Sequence, residues 1–281
     1  MKTIKLLSGI VGLMSITACT SKTQQTKSTQ QKPNIVYIYF DDMGYGDVSC
    51  LNSQSKVQTP NIDRFASEGI TFTNAHSAAA VSTPSRYAVI TGRYPFRSRC
   101  KYRVLTDFSP ALIKMDRPTV ASMLKKEGYN TALIGKWHLG FNWQLEKEGD
   151  YEETFAKTRK NGHFSDPGVD FTKDIINGPN QHGFDYSYSL AFTLMENNKL
   201  QHKVQVVKKN SKFGYISEGF PAVERVPAWV ERTDKYIKNA SKKDKPFFLY
   251  YALTAPHEPH VPSVQNEIYK IGYSFSRRLI Y

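Results

Sequence analysis

Residues 82–93 read Ser-Thr-Pro-Ser-Arg-Tyr-Ala-Val-Ile-Thr-Gly-Arg, and this run predicts a short helix with chemistry at its start. Ser82 is a favoured N-cap residue, Pro84 suits the first turn, and Gly92 suits the C-terminal cap. The free N–H groups at a helix N-terminus favour an anion. Arg86, one turn further on, adds a planar guanidinium that suits a tetrahedral oxyanion. The alternative is a capped surface helix, which is the better interpretation of Ser-x-Pro-Ser-Arg taken alone.

Three further polar clusters each follow a segment that predicts a strand. The segments are rich in β-branched and aromatic residues, and helical segments separate them. This alternation predicts an α/β fold with a mostly parallel sheet and helices on both faces. Ligands of such sheets bind beyond the carboxyl ends of the strands, so one edge should hold all three clusters. The strands and clusters are 34–40 with Asp41-Asp42, 129–134 with Lys136-Trp137-His138, and 245–253 with His257-Glu258-Pro259-His260.

Caps and periodicity predict the remaining elements. Helices are expected over 60–68, 118–127 and 227–239. A second short strand is expected over 70–73. Residues 145–210 are polar and have no strong period, which predicts inserted loops around the site. The strand at 34–40 is expected to be buried.

Asp41 and Asp42 form a pair of adjacent carboxylates at a strand end. Two neighbouring carboxylates are costly unless a cation or a basic group neutralises them. Their hard oxygen atoms suit Ca²⁺ or Mg²⁺. An exposed acidic turn is the alternative interpretation, and it is the better one for the dipeptide alone.

Together these motifs resemble those of the sulfatase family. The run 82–93 matches its first signature, in which a leading Cys or Ser is oxidised to formylglycine, and 128–138 resembles its second. The pair Asp41-Asp42 is similar to its first two metal ligands, and 255–262 is similar to its Pro-His-x-Pro segment. The resemblance implies an alkaline-phosphatase-like α/β fold and a sulfuric ester hydrolase, similar to the arylsulfatases, that acts on a sulfated glycan or an aryl sulfate.

The resemblance also implies a role for each site residue. Ser82, as formylglycine, supplies the nucleophile, and Arg86 and a metal ion stabilise its oxyanion. Lys136 neutralises the charge of the sulfate. His257 protonates the leaving alcohol as general acid, and His138 helps to release sulfate from residue 82.

The implied metal is Ca²⁺, with Mg²⁺ as the second option, held by Asp41, Asp42 and residue 82. A serine precursor implies a partner of the anaerobic type, an iron–sulfur maturase that converts serine to formylglycine.

The sequence departs from the family after residue 262. Sulfatases contribute a further Asp-Asn metal pair from a later strand, and no Asp-Asn dipeptide occurs in this chain. Residues 263–281 form an atypical tail, so we expect a truncated or frame-shifted product, with a catalytic domain at 34–262 that is incomplete at the C-terminus. Such a chain should be a weak or inactive sulfatase. The alternatives are an inactive fragment that binds sulfated glycans, and a phosphatase or phosphodiesterase of the same superfamily.

The N-terminus predicts export. Residues 1–18 have the basic start and apolar run of a signal peptide, and Cys19 follows small residues as in a bacterial lipobox. Residues 19–33 then form a lipidated, flexible tether, which places the protein on a membrane in the periplasm or at the cell surface. Cys50 and Cys100 remain, and they either pair or stay buried and inert.

The net charge of +13 reflects either a generally basic surface or attraction for an anionic substrate. Nucleic acid is not expected as a partner, because the chain has no nucleic-acid-binding motif.

The lipid anchor is testable by replacing Cys19. We expect Cys19→Ala to block processing or to release the chain from the membrane, because the thiol carries the lipid, whereas Cys50→Ala should leave it anchored. Membrane fractionation and mass spectrometry of the mature N-terminus measure this. A wild-type chain that is unmodified, soluble and cut elsewhere would show the lipobox interpretation to be wrong.

Overall fold

The structure is a computed structural model that describes residues 31–101, 103–106, 108–158, 166–190, 194–196, 199–200, 204–206, 215–217 and 222–257. The predicted leader, Cys19, most of the tether, His260 and the tail at 263–281 lie outside these residues. None of the described helices combines the length and the apolar character needed to cross a membrane.

The described residues form a six-stranded sheet and a separate two-stranded one. In the larger sheet the strand order is β1, β8, β2, β3, β4, β5. The first four of these strands run parallel, and β4 and β5 pair antiparallel at the end. The strands β1 to β8 are Ile35–Asp41, Asn130–Lys136, Tyr186–Leu190, Leu194–Glu196, Lys199–Leu200, Val204–Val206, Tyr215–Ser217 and Phe247–Pro256.

Helices cover both faces of the parallel part of the sheet. The helices α1 to α5 are Pro60–Glu68, Ser82–Thr91, Val120–Lys126, Tyr151–Lys157 and Ala222–Ala240. Side chains alternate along β8: Phe248 and Tyr250 enter a core that includes residues of α2 and α3, while Leu249 and Tyr251 enter a core with Trp229 of α5. The predicted α/β fold with a parallel sheet is therefore confirmed.

The strand β1 departs from the expectation of a buried strand. It lies at one edge of the described sheet, paired on one side with β8. Val36, Ile38 and Phe40 are between 37% and 49% exposed. Its hydrophobic composition predicted the strand correctly, but composition carries no information about which strand lies at an edge.

Other expectations were wrong in informative ways. Residues 70–73 form no strand, and Ile70 and Phe72 are exposed. Residues 145–210 are not only loops, since they contain α4 and β3, and β3 extends the parallel sheet. The alternation Tyr-Ser-Tyr-Ser-Leu could have predicted β3 from the sequence.

The start of helix α5 and the state of the cysteines also differ from what the sequence predicted. Helix α5 begins at Ala222, so Pro227 lies inside it, where it removes one backbone hydrogen bond. Cys50 and Cys100 are unpaired, the first exposed and the second buried.

Gly135 allows β2 and β8 to approach closely just before Lys136. Its φ of 114° is one that L side chains rarely adopt, and an added Cβ would collide with the carbonyl group of Ala252 on β8. The end of β2 therefore depends on the absence of a side chain at this position.

Replacing this glycine should destabilise the fold more than replacing one that is only conformationally strained. For Gly135→Ala we expect a loss of roughly 3 kcal/mol or more in the free energy of unfolding, because strain and overpacking each cost about 1–3 kcal/mol. Gly92→Ala is the matched control: its φ is also positive, at 64°, but no atom lies within 4 Å of the added Cβ. Its cost should be about 1–2 kcal/mol. Equal shifts in urea unfolding would contradict the close approach of β2 and β8.

Candidate active site

Ser82 is the first residue of α2 rather than its cap. The cap position is occupied by Val81, and no side chain caps the helix. The predicted cap was therefore wrong by one residue, whereas Gly92 ends the helix in the left-handed conformation as expected. Because the Ser82 hydroxyl is not used for capping, it is available to two other side chains.

Arg86 and His138 hold the Ser82 hydroxyl between them. Arg86 Nε donates to Ser82 Oγ over 2.9 Å, as their spacing of one helical turn predicted. His138 Nδ1 lies 3.0 Å from the same oxygen. Its other ring nitrogen, Nε2, lies 3.1 Å from the carbonyl oxygen of Leu105. A carbonyl only accepts hydrogen bonds, so Nε2 carries the proton and the bare Nδ1 accepts from the Ser82 hydroxyl.

The protonation state of His138 follows from its surroundings. Burial, with a smaller contribution from the positive charge of Lys136, lowers the pKa of His138 to about 4. The ring is therefore neutral at pH 7. A neutral ring with a free Nδ1 can take a proton from the oxygen at residue 82.

Asp41 anchors two cations beside this hydroxyl. Its Oδ1 lies 3.1 Å from Arg86 NH2, and its Oδ2 lies 2.5 Å from Lys136 Nζ. Burial opposes the charge of Asp41, but Arg86 and Lys136 outweigh it and hold the pKa of that carboxyl below its ordinary value. Burial also lowers the pKa of Lys136, while Asp41 acts in the opposite direction.

The charge in this cluster does not balance. Arg86 is fully buried and Asp41 almost so, and Arg86 also donates to the carbonyl oxygen of Lys136 over 3.0 Å. Two cations share the one buried carboxylate, and the neighbouring His138 is neutral. Arg86, Lys136 and Asp41 therefore sum to one positive charge, which the exposed carboxylate of Asp42 near Lys136 offsets only in part, and this charge favours an anionic ligand.

Asp42 and His257 lie at the exposed side of this group. Asp42 is 58% exposed, and its backbone φ of 65° turns it away from the path of β1. His257 Nε2 lies 3.7 Å from Asp42 Oδ2, just beyond the end of β8. The structure thus brings Ser82, Arg86, Asp41, Lys136 and His138 into one bonded network. It places Asp42 and His257 beside that network as a second pair.

The described residues fall short of a metal site. They contain no group of three or more His, Cys, Asp or Glu side chains that could hold a metal ion. Both carboxylate oxygens of Asp41 contact Arg86 or Lys136, so that of these two carboxylates only Asp42 faces solvent. A hard cation such as Ca²⁺ takes six or more oxygen ligands, as a rough guide. The two carboxylates are of the right chemical type but too few.

The sequence did not point to the residues that support Arg86. The ring of Tyr39 lies against its guanidinium, 5.2 Å from ring centroid to Cζ. The hydroxyl of Tyr39 also contacts Ser85, whose Oγ is 2.5 Å from that of Ser77. Tyr39 lies two residues before Asp41, and side chains two residues apart in a strand lie on the same face. This spacing could have predicted that Tyr39 lies near the partners of Asp41.

Comparison with known proteins identifies the family. The sequence profile of the sulfatases matches residues 33–276. The chain belongs to the sulfatase family, whose members are sulfuric ester hydrolases and generally use a formylglycine and a divalent metal.

Individual relatives agree with this assignment. The chain is 32% identical to an N-acetylgalactosamine-6-O-sulfatase of Bacteroides thetaiotaomicron, over 92% of this chain and 55% of the relative. It is 30% identical to human arylsulfatase A, over 88% of this chain and 44% of the relative. A solved structure from work on glycosaminoglycan metabolism by B. thetaiotaomicron superposes with a TM-score of 0.65 at 29% identity, covering 84% of this chain and 53% of that one. The chain thus spans about half the length of these relatives.

Removing the shared carboxylate should destabilise the chain far more than removing its neighbour. Asp41→Asn leaves Arg86 buried beside Lys136 without its counter-charge, so we expect a loss of about 3–5 kcal/mol in the free energy of unfolding. Asp42→Asn removes an equal charge from an exposed position and should change stability by about 0.5 kcal/mol or less. Urea unfolding measures both. Similar losses in the two variants would contradict the role of Asp41 as the anchor of both cations.

Proposed function

We propose that this chain hydrolyses sulfate esters through a formylglycine formed from Ser82. The observation that carries the proposal is the position of the Ser82 oxygen. A guanidinium donor and a neutral imidazole acceptor hold it, next to an excess positive charge. Membership of the sulfatase family supports sulfate as the anion. A phosphate ester has similar charge and shape, so the test below includes one.

In this proposal the residues of the network act on the oxygen at position 82. The Ser82 CH₂OH group loses two hydrogens to become the aldehyde, and an iron–sulfur maturase serves as the oxidant. Water then adds to the aldehyde to give a geminal diol. One of the diol oxygens loses its proton to solvent and attacks sulfur as the bond to the alcohol breaks, and Arg86 stabilises the negative charge on this oxygen. His138 Nδ1 takes the proton from the second hydroxyl of residue 82, so that the C=O bond forms again and sulfate leaves, while Nε2 stays bonded to the Leu105 carbonyl. Lys136 faces the negative charge of the ester.

His257 is proposed to protonate the leaving alcohol. It lies at the end of β8 and is paired with Asp42, which orients its ring. Both side chains are partly exposed, so a bulky alcohol has room to approach them. The ester then gives the free alcohol and sulfate, with water supplying the elements of hydrolysis.

We propose a sulfated carbohydrate as the natural substrate. The support is the relative from B. thetaiotaomicron, which is an N-acetylgalactosamine-6-O-sulfatase by its name. An aryl sulfate is expected to serve as a model substrate, as the resemblance to arylsulfatase A suggests. The metal, expected as Ca²⁺ or Mg²⁺, is assigned no step, because the described residues supply only two carboxylates. Attachment to a membrane through lipid on Cys19 remains part of the proposal.

The decisive test is co-expression with a serine-type maturase under anaerobic conditions, followed by two measurements. Mass spectrometry of the peptide that contains residue 82 should detect a species lighter by two hydrogens. The matured chain should hydrolyse 4-nitrophenyl sulfate faster than 4-nitrophenyl phosphate, with Ca²⁺ or Mg²⁺ supplied. Ser82→Ala should reduce turnover to background, because it removes the precursor of the aldehyde.

Ser67→Ala is the matched control, since Ser67 lies exposed near the end of α1. It should leave turnover unchanged. Turnover of the matured chain should be weak, because the described residues supply only two carboxylates for a metal ion. A matured chain that hydrolyses sulfate no faster than Ser82→Ala would overturn the proposal in favour of the inactive fragment. A preference for the phosphate ester, with residue 82 unmodified, would favour the phosphatase interpretation instead.

A further inference from the structure

Thr83 links the start of α2 to both segments that hold His138. Its hydroxyl donates to the carbonyl oxygen of His138 over 3.0 Å. The Thr83 hydroxyl oxygen in turn accepts from the backbone N–H of Leu105 over 3.1 Å. The side chain is fully buried, so water cannot replace either bond. A threonine in a helix commonly bonds to its own helix, whereas this one reaches two other segments of the chain.

The backbone of His138 needs such support. Its φ of 53° lies in the left-handed region, which is uncommon for a residue other than glycine. Strained backbone persists where the surrounding structure fixes it, and it is frequent at functional sites. Thr83 is bonded directly to the carbonyl group of this strained residue.

The contacts of Thr83 and His138 form a closed arrangement. Thr83 holds the main chain of His138 and the N–H of Leu105, while the ring of His138 bonds to the C=O of Leu105. Thr83 thus bonds to both residues that form the hydrogen bond between His138 Nε2 and the Leu105 carbonyl. Once Nε2 is fixed as the donor, Nδ1 faces Ser82 as the acceptor.

We propose that Thr83 is a positioning residue that selects the tautomer and the orientation of His138 toward residue 82. It acts through His138 and touches neither substrate nor the reacting atoms. The benefit for the reaction rests on the proposed function, in which His138 takes the proton from residue 82. The claim that Thr83 positions the His138 ring is tested by a measurement that requires no enzymatic activity.

Nuclear magnetic resonance of ¹⁵N-histidine in the full chain reads the tautomer directly. The chain has seven histidines, and His138→Gln identifies the signals of His138 by their loss. At pH 7 the wild type should show a protonated Nε2 whose proton exchanges slowly with water, and an unprotonated Nδ1. The Leu105 amide should also exchange slowly. A mixture of tautomers or a rapidly exchanging Nε2 proton in the wild type overturns the proposal.

Thr83→Val keeps the volume of the side chain and removes both hydrogen bonds. We expect the Nε2 proton to exchange at least about tenfold faster and the two ring nitrogens to shift toward averaged values, because the ring is no longer held. Thr83→Ser keeps the hydroxyl and should restore the wild-type signals. Unchanged His138 signals in a folded Thr83→Val chain would mean that Thr83 only fills space, and this would overturn the proposal.

Thr91→Val is the matched control on the same helix. The Thr91 hydroxyl donates to the carbonyl of Tyr87, 2.7 Å away, and this variant should leave the His138 signals unchanged. If the His138 signals change to the same extent in Thr83→Val and Thr91→Val, the link between Thr83 and His138 is not specific and the proposal is overturned. If Thr83→Val does not fold, Thr83→Ala is measured in its place.

In a chain with confirmed sulfatase turnover, kinetics add a second readout. Thr83→Val should lower kcat for an aryl sulfate by about ten- to a hundredfold with KM changed less than about twofold, because proton transfer suffers and binding does not. Thr83→Ser should recover most of kcat. A rise in KM at constant kcat overturns the proposal. Loss of turnover in the wild type bears on the proposed function alone, since the spectra still test Thr83.

Discussion

The buried carboxylate of Asp41 is the interaction on which the site depends. Arg86 and Lys136 come from different elements, a helix and a strand, and each would be costly to bury alone. One carboxylate compensates part of both charges and keeps them together beside Ser82. Because it neutralises only one of the two, these three residues retain positive charge, which suits the anionic ester proposed as substrate. In this proposal, stability and anion binding have the same physical origin.

The sheet explains how these residues meet. Asp41 is the last residue of β1 and Lys136 the last residue of β2, and β8 lies between them in a parallel arrangement. All three strands therefore end at the same edge, where α2 begins with Ser82. Because Gly135 has no side chain, β2 can approach β8 closely at this point. The backbone thus brings residues far apart in sequence into hydrogen-bonding distance.

Much of this arrangement was predictable from the sequence. The strand segments at 34–40, 129–134 and 245–253 were recognisable from their composition, and their polar ends indicated one site. The spacing of Ser82 and Arg86 gave their contact directly. The sequence did not reveal the exposure of β1, because an edge strand and a central one can share a composition.

The parts that sequence reasoning missed depend on tertiary contacts. Leu105 lies in an irregular segment without a local signal, yet its carbonyl determines which nitrogen of His138 is protonated. Thr83 resembles any helical threonine until its partners are known.

A crystal structure of the chain with inorganic sulfate would test the central claim most directly. The account predicts that the anion lies against residue 82 and Lys136, with the residue 82 oxygen still bonded to Arg86 Nε and His138 Nδ1. Sulfate bound at another surface, or a residue 82 oxygen in contact with neither side chain, would contradict it.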